Sequence, residues 1–365
     1  MAELLDTTLR DGSNANGHSY TEEDISLLVG GLAASGISWI EAGDGVSIGL
    51  PGTHARQSTV SNEKTLSLAR KAASGAKIGA IAVPVLTSTA AIEPFYDYLD
   101  YIRLAAAQSE FDGCRRFVRE AKARGKKVFI QLVKSHLYRL ESIVEQVRPL
   151  AEEGIDALYV VDTAGCMMPE AVTRLVVELS GAYCFPIGFH GHNNCSLAMA
   201  NSLAALRAGA AMIDGTLGGI GRGAGNLQLE TFVALMQQGG EFRQIDFERL
   251  FRLSSYVRHR FPNAARGIDP IEAYYALHGW DSVSREEVLK TAQEGNLDEF
   301  QLIRTAAGRA KGFLITGEEI EQAAGILAGA EGLFERNDLP GATAGQAPPM
   351  DHASAHASAS ATSPG

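Results

Sequence analysis

Two histidines, His190 and His192, close the apolar run Ile187-Gly188-Phe189. Alternate residues of a β-strand share one side, so the two imidazoles converge as a metal ion requires. A carboxylate stands far upstream in Asp6-Thr7-Thr8-Leu9-Arg10-Asp11-Gly12, supplied by Asp11 or Asp6. Two imidazoles, one carboxylate and open water positions suit Mn2+, Co2+, Fe2+ or Zn2+. An amide oxygen from Asn226 would shift the preference toward octahedral Mn2+ or Mg2+. Arg10, beside Asp11, adds a fixed guanidinium. Lewis acid plus charge-assisted donor is what a developing enolate oxyanion needs. The residues point to a divalent-metal lyase.

Other polar residues fall at predicted strand ends. Glu41 and Asp162 read as supports for Arg10, for other polar residues or for the ligands, because carboxylates inside a barrel are costly unless paired. Lys134 and His136 follow the fifth strand and point toward the same mouth. A Schiff base on Lys134 is the rival chemistry, but it would leave the histidine pair without a purpose. The glycine-rich stretch 218–226 could cradle a carboxylate or phosphate ahead of a helix.

Positioning these groups takes a repeating scaffold. Short apolar runs predict strands at Glu3–Asp6, Ser38–Ala42, Lys77–Val83, Tyr101–Ala105, Lys127–Val133, Ala157–Asp162, Pro186–His190 and Ala211–Thr216. Amphipathic stretches between them predict helices near 22–35, 61–74, 90–98, 111–124, 139–153, 169–181, 195–208 and 226–238. Thr21, Ser61 and Pro169 start three of them well. Such a run of strand–helix repeats predicts an α/β fold, a closed (β/α)8 TIM barrel over residues 1–239. Barrel chemistry gathers at the strand C-termini, where strands one, seven and eight become neighbours. Helices near 246–260, 270–279, 284–293, 298–310 and 317–328 predict a helical C-terminal domain over 240–338. The Ala/Ser/Gly/Pro/His-rich stretch 339–365 reads as a disordered tail.

With 32 basic and 43 acidic residues the net charge is −11, and no basic stripe stands out. This argues against nucleic acid or an anionic membrane as the main partner. The first 20 residues lack a signal-peptide pattern, and no apolar run approaches the roughly 20 residues that span a bilayer. A cytoplasmic enzyme with four reduced cysteines is expected.

The motifs Leu5-Asp6-Thr7-Thr8-Leu9-Arg10-Asp11-Gly12, His190-Gly191-His192-Asn193 and Gly221-Arg222-Gly223-Ala224-Gly225-Asn226 resemble those of the DRE-TIM metallolyase superfamily. The chain looks most like its 4-hydroxy-2-oxovalerate aldolase branch. Tyr159-Val160-Val161-Asp162-Thr163-Ala164-Gly165 and the C-terminal Tyr274-Tyr275-Ala276 are also similar to that branch. The resemblance implies a metal, Mn2+ foremost, on Asp11, His190, His192 and Asn226, with Arg10 on an enolate. It implies cleavage of a 4-hydroxy-2-oxoacid to pyruvate and an aldehyde, and an acylating aldehyde dehydrogenase as partner; chain length and the helical appendage fit a homo-oligomer or an assembly with that dehydrogenase. That branch has a catalytic His three residues after the metal-binding Asp; this chain has Asn14. A neutral amide cannot take a hydroxyl proton near neutral pH. His18 is the nearest replacement base, and Tyr275 a second candidate for proton relay. Branches that use acyl-CoA carry a Gln there, which keeps a Claisen-type condensation or a hydroxymethylglutaryl-CoA lyase-like reaction as the alternative. The cysteine-containing loop of those lyases is missing, since 218–226 holds no Cys.

Overall fold

The strand runs are apolar on both faces, so each strand has to be covered on both. In the computed structural model they close into one parallel barrel in sequence order, β1 to β8. The structure describes residues 2–43, 45–50, 58–107, 110–264, 267, 269–310 and 314–330. The strands are β1 (Glu3–Asp6), β2 (Trp39–Glu41), β3 (Lys77–Ala82), β4 (Tyr101–Ala106), β5 (Lys127–Leu132), β6 (Ala157–Asp162), β7 (Ile187–Gly191) and β8 (Met212–Gly215). Each lies within about a residue of its expected place, and β1 pairs with β8 to complete the ring.

A short helix not anticipated from sequence, α1 (Asp11–Ala15), turns directly off β1. The following helix, α2 (Glu22–Ala34), opens on Thr21 with a reciprocal capping box to Asp24. Asp24 also accepts from Tyr256 and lies 3.3 Å from Arg260. Both belong to α3 (Phe247–Arg260), whose Leu250, Leu253 and Val257 join the barrel's hydrophobic core. Packing therefore carries the barrel core on past residue 239, as far as Ala264. A second core gathers Ile271, Tyr275, Val288, Leu302 and Ile320 from the later helices. The tail expected at 339–365 lies outside the described residues. Among the described residues no helix is long and apolar enough to cross a membrane.

Inside the barrel, alternate residues build stacked layers. At the floor Trp39, Tyr101, Phe129 and Tyr159 pack ring on ring, with centroid separations of 5.0 to 6.2 Å along the series. Lys77 reaches across the lower face of Trp39 at 4.1 Å. Above the rings sits a layer of buried charge. Arg103, wholly buried, donates to Glu41 at 3.0 Å, to Gln131 at 2.6 Å and to Asp214, with its guanidinium over Tyr159. Removing one member of such a network strands the other charges in low dielectric. Arg103→Met is expected to cost about 3–5 kcal/mol, read as a lowered denaturation midpoint; an unchanged midpoint would mean that Glu41 and Asp214 do not depend on it.

Candidate active site

Directly above the charged layer, at the strand C-termini, three of the four expected metal ligands meet. Asp11, His190 and His192 are all buried, each offering one ligand atom within 4.8 Å of the others. His190 Nε2 lies 3.3 Å and His192 Nε2 3.8 Å from Asp11 Oδ2. His190 Nδ1 is 2.9 Å from Asp214 Oδ2, so the carboxylate holds the ring proton there and turns the Nε2 lone pair toward Asp11. Asp214 is itself fixed by Arg103. The layer below thus orients the ligand above it.

A cation fits this corner. Asn226 Oδ1 is buried and accepts no hydrogen bond, and Asp11 Oδ2, 3.1 Å from Arg10 Nη1, is buried as well; the amide oxygen costs free energy unless something binds there. Asn226 is the bridge partner of His192. A Cβ at Gly221 would lie 2.1 Å from Asn226 Nδ2 and 3.5 Å from Asp11 Oδ1, so only glycine lets the segment after β8 close over the ligands. At Gly225 (φ +88°) a Cβ would sit 2.0 Å from the Gly219 carbonyl oxygen. The glycines serve close approach.

Burial pulls the Asp11 carboxyl upward, but the Arg10 guanidinium and the two imidazoles outweigh it and hold it well below the usual range. Burial, with Arg222 adding to it and Asp11 opposing, takes His192 down to about 3, a neutral ring. Arg10 donates from Nε to Glu41 Oε2 at 2.9 Å and sets Nη1 3.1 Å from Asp11 Oδ2. Glu41 is the support expected of it.

Asp6 is excluded as the ligand. Its oxygens accept from the Thr8 amide and hydroxyl at 2.9 and 2.7 Å, and burial lifts its pKa to about 7. Asp162 supports a loop, for its carboxylate accepts from the backbone N–H of Cys166 and Met167. It joins His136 and Cys166 in a second group of possible ligand atoms. Lys134 places Nζ 3.5 Å over the Trp280 ring.

Asn14 stands where the resemblance placed a base. Its Nδ2 is 3.2 Å from the Asp11 carbonyl oxygen and 3.4 Å from Asp11 Oδ1. His18, also buried, is its neighbour: Asn14 Oδ1 and His18 Cε1 each lie 2.7 Å from the position a Cβ would take at Gly45. Tyr275 is placed elsewhere. It is wholly buried in the second core, with Glu272, Glu299 and Arg285 as its charged neighbours. The segment that does reach the mouth comes just after it. Gly279 O meets His136 Nε2 at 3.1 Å, Trp280 covers Lys134, and Asp281 Oδ2 lies 3.2 Å from Arg222 Nη1.

An eight-stranded barrel carrying a carboxylate–imidazole corner and an adjacent guanidinium at its strand C-termini is an enzyme architecture. Residues 1–257 match the HMGL-like family model, and the chain belongs to that family. It is 39% identical over 325 residues to oxaloacetate decarboxylase of Mycobacterium tuberculosis (strain ATCC 25618 / H37Rv), covering 87% of this chain and 95% of that protein. It is 32% identical over 346 residues to 4-hydroxy-2-oxovalerate aldolase of Burkholderia pseudomallei (strain K96243), covering 94% and 98%. The carboxyl transferase domain of Rhizobium etli pyruvate carboxylase shares the fold at TM-score 0.73 and 19% identity, over 91% of this chain and 61% of that one. The protein is a lyase of a divalent-metal-dependent family, with its candidate metal site at Asp11, His190 and His192.

Proposed function

We propose that this protein cleaves the C3–C4 bond of a 2-oxoacid to release pyruvate, and that the group leaving is carbon dioxide. The preferred substrate is then a 2-oxo dicarboxylate of the oxaloacetate type. Asn14 is the observation that carries this reading. A retro-aldol cleavage has to remove the 4-hydroxyl proton, which needs a base beside the substrate. A β-decarboxylation removes none: the C3–C4 bond breaks, its electron pair passes into the enolate, and carbon dioxide departs neutral. Water then returns a proton to C3. The name borne by the Mycobacterium tuberculosis relative supports the same reaction.

A divalent ion, Mn2+ in our reading with Mg2+, Co2+ or Zn2+ as alternatives, would supply Lewis acidity to the 2-oxo group. The chain's own residues do the rest. Asp11, His190 and His192 would hold that ion, with Asn226 beside His192. Arg10, locked by Glu41, donates to the oxygen on which charge develops. Asn14 holds the turn that presents Asp11.

Pyruvate release from oxaloacetate and from 4-hydroxy-2-oxopentanoate, each corrected for the free-metal reaction, tests the proposal. We expect kcat/KM to favour oxaloacetate by about 100-fold or more, the lower range of what a missing base costs. Faster release from the hydroxy acid would overturn it. The second reading is the aldolase, with His18 as base, and rests on its place beside Asn14. There the aldehyde would pass to an acylating aldehyde dehydrogenase. Asn14→His separates the two. On the decarboxylase reading it raises hydroxy-acid cleavage at least about tenfold, whereas with His18 already acting as base it brings no gain.

A further inference from the structure

Arg222 is the one strong cation of the segment after β8, and enolate chemistry leaves it without a task. Its backbone N–H points at Asp11 Oδ1 from 3.3 Å, and its Nη2 stands 3.5 Å from His192 Nε2. Its Nη1 pairs with Asp281 at 3.2 Å. The guanidinium is about a quarter exposed, whereas Asp281 is nearly buried. Lys134, its Nζ over the Trp280 ring and its ammonium pKa lowered by burial to about 8, also feels the Asp281 charge. Its backbone is held at φ +57°, a left-handed conformation that costs a non-glycine residue free energy. A buried carboxylate paired with a guanidinium, one residue from a ring packed on an ammonium, has the form of a carboxylate subsite filled by the protein itself.

We propose that Arg222, with Lys134, forms the subsite for the carboxylate that a dicarboxylic 2-oxoacid carries away from its oxo group, and that Asp281 keeps this place until the substrate enters. The inference deepens the decarboxylase reading and rests on it for the substrate class. Arg10 reaches the ligand corner from the β2 side through Glu41, and Arg222 reaches it from the β7 side through His192. A diacid seated on the corner therefore has Arg10 on its 2-oxo side and Arg222 toward its far carboxylate. The Asp281 counter-charge suits the chemistry as well. An unopposed guanidinium would stabilise the departing carboxylate in the ground state and oppose its loss as neutral carbon dioxide. A guanidinium half-neutralised by Asp281 recognises the group without trapping it.

Trp280 supplies a readout independent of turnover, since the only other tryptophan, Trp39, lies in the barrel floor. The Mg2+-loaded protein is titrated with malate and with 2-hydroxybutyrate, which differ in a carboxylate against a methyl group at C4. Tryptophan fluorescence is followed, with Trp280→Phe assigning the signal. We expect malate to bind about tenfold or more tighter, as one charge-assisted pair allows. Arg222→Met should erase the preference, Arg222→Lys should keep part of it, and Asp281→Asn should tighten malate, an effect that a merely structural pair would not give. A preference that survives Arg222→Met would overturn the proposal, as would an equal loss for both ligands, which would assign Arg222 to the proximal carboxylate. Failure of the decarboxylase reading is seen separately, as malate selectivity through Arg222 without pyruvate release from oxaloacetate.

Discussion

Asp11→Asn should lose bound metal and turnover together. The substitution keeps the shape and removes the charge that both imidazoles face at 3.3 and 3.8 Å. It also takes the negative charge from the oxygen on which Arg10 Nη1 and both imidazoles converge. Loss of the Lewis acid removes several kcal/mol of transition-state stabilisation, so kcat should fall by about three orders of magnitude. A chelator should do the same to the unmodified protein, and added Mn2+ should restore that protein but not the variant. Metal content after gel filtration is the direct check. The barrel core does not involve Asp11, so the variant should melt as a folded protein. A full equivalent of metal in active Asp11→Asn would move the ion elsewhere, and the group of His136, Asp162 and Cys166 would be the first place to look.

Arg10→Met should lower kcat by about 100- to 1,000-fold, the usual consequence of deleting one donor aimed at a developing oxyanion. Substrate affinity should change much less, because the donor acts mainly as charge moves onto oxygen. Arg10→Lys should recover little. Arg10 uses Nε to fix itself on Glu41 while Nη1 stands by Asp11, and a single ammonium cannot occupy both places. A pure rise in KM would show that Arg10 serves binding alone. Deuterium exchange into the pyruvate methyl group offers a second measure, since it needs the enolate but no leaving group; it should fall in parallel with kcat.

The sequence made the barrel readable because each strand is a short apolar run between capped helices. Strand parity alone put His190 and His192 on one side, and chain closure put Asp11 beside them. The charged layer was far harder to see. Arg103 meets Glu41, Gln131 and Asp214 from 62, 28 and 111 positions away, and no local pattern links such partners. Its one visible signal was an arginine at an inward position of Tyr101-Ile102-Arg103-Leu104. Asp162 supports, but not where a strand end would place it: Val161 holds the inward position beside it and Asp162 turns to the loop amides. Tyr275 shows the same limit in the C-terminal helices. Their apolar spacing reveals that they pack, but not which residue overhangs the mouth. That proved to be the Gly279–Asp281 segment, ahead of α4 (Arg285–Glu294).

The stacked rings of the barrel floor also govern traffic. Trp39, Tyr101, Phe129 and Tyr159 fill the lower bore, and the Arg103 layer seals it a second time. On the proposed reaction the acid would enter and the product depart at the strand C-termini, the end where Trp280 and Asp281 lie. A through-route along the barrel axis would have to breach rings and buried ions together. Any enzyme that collects the product directly would therefore have to sit at the mouth, where it would compete with incoming substrate for the same threshold.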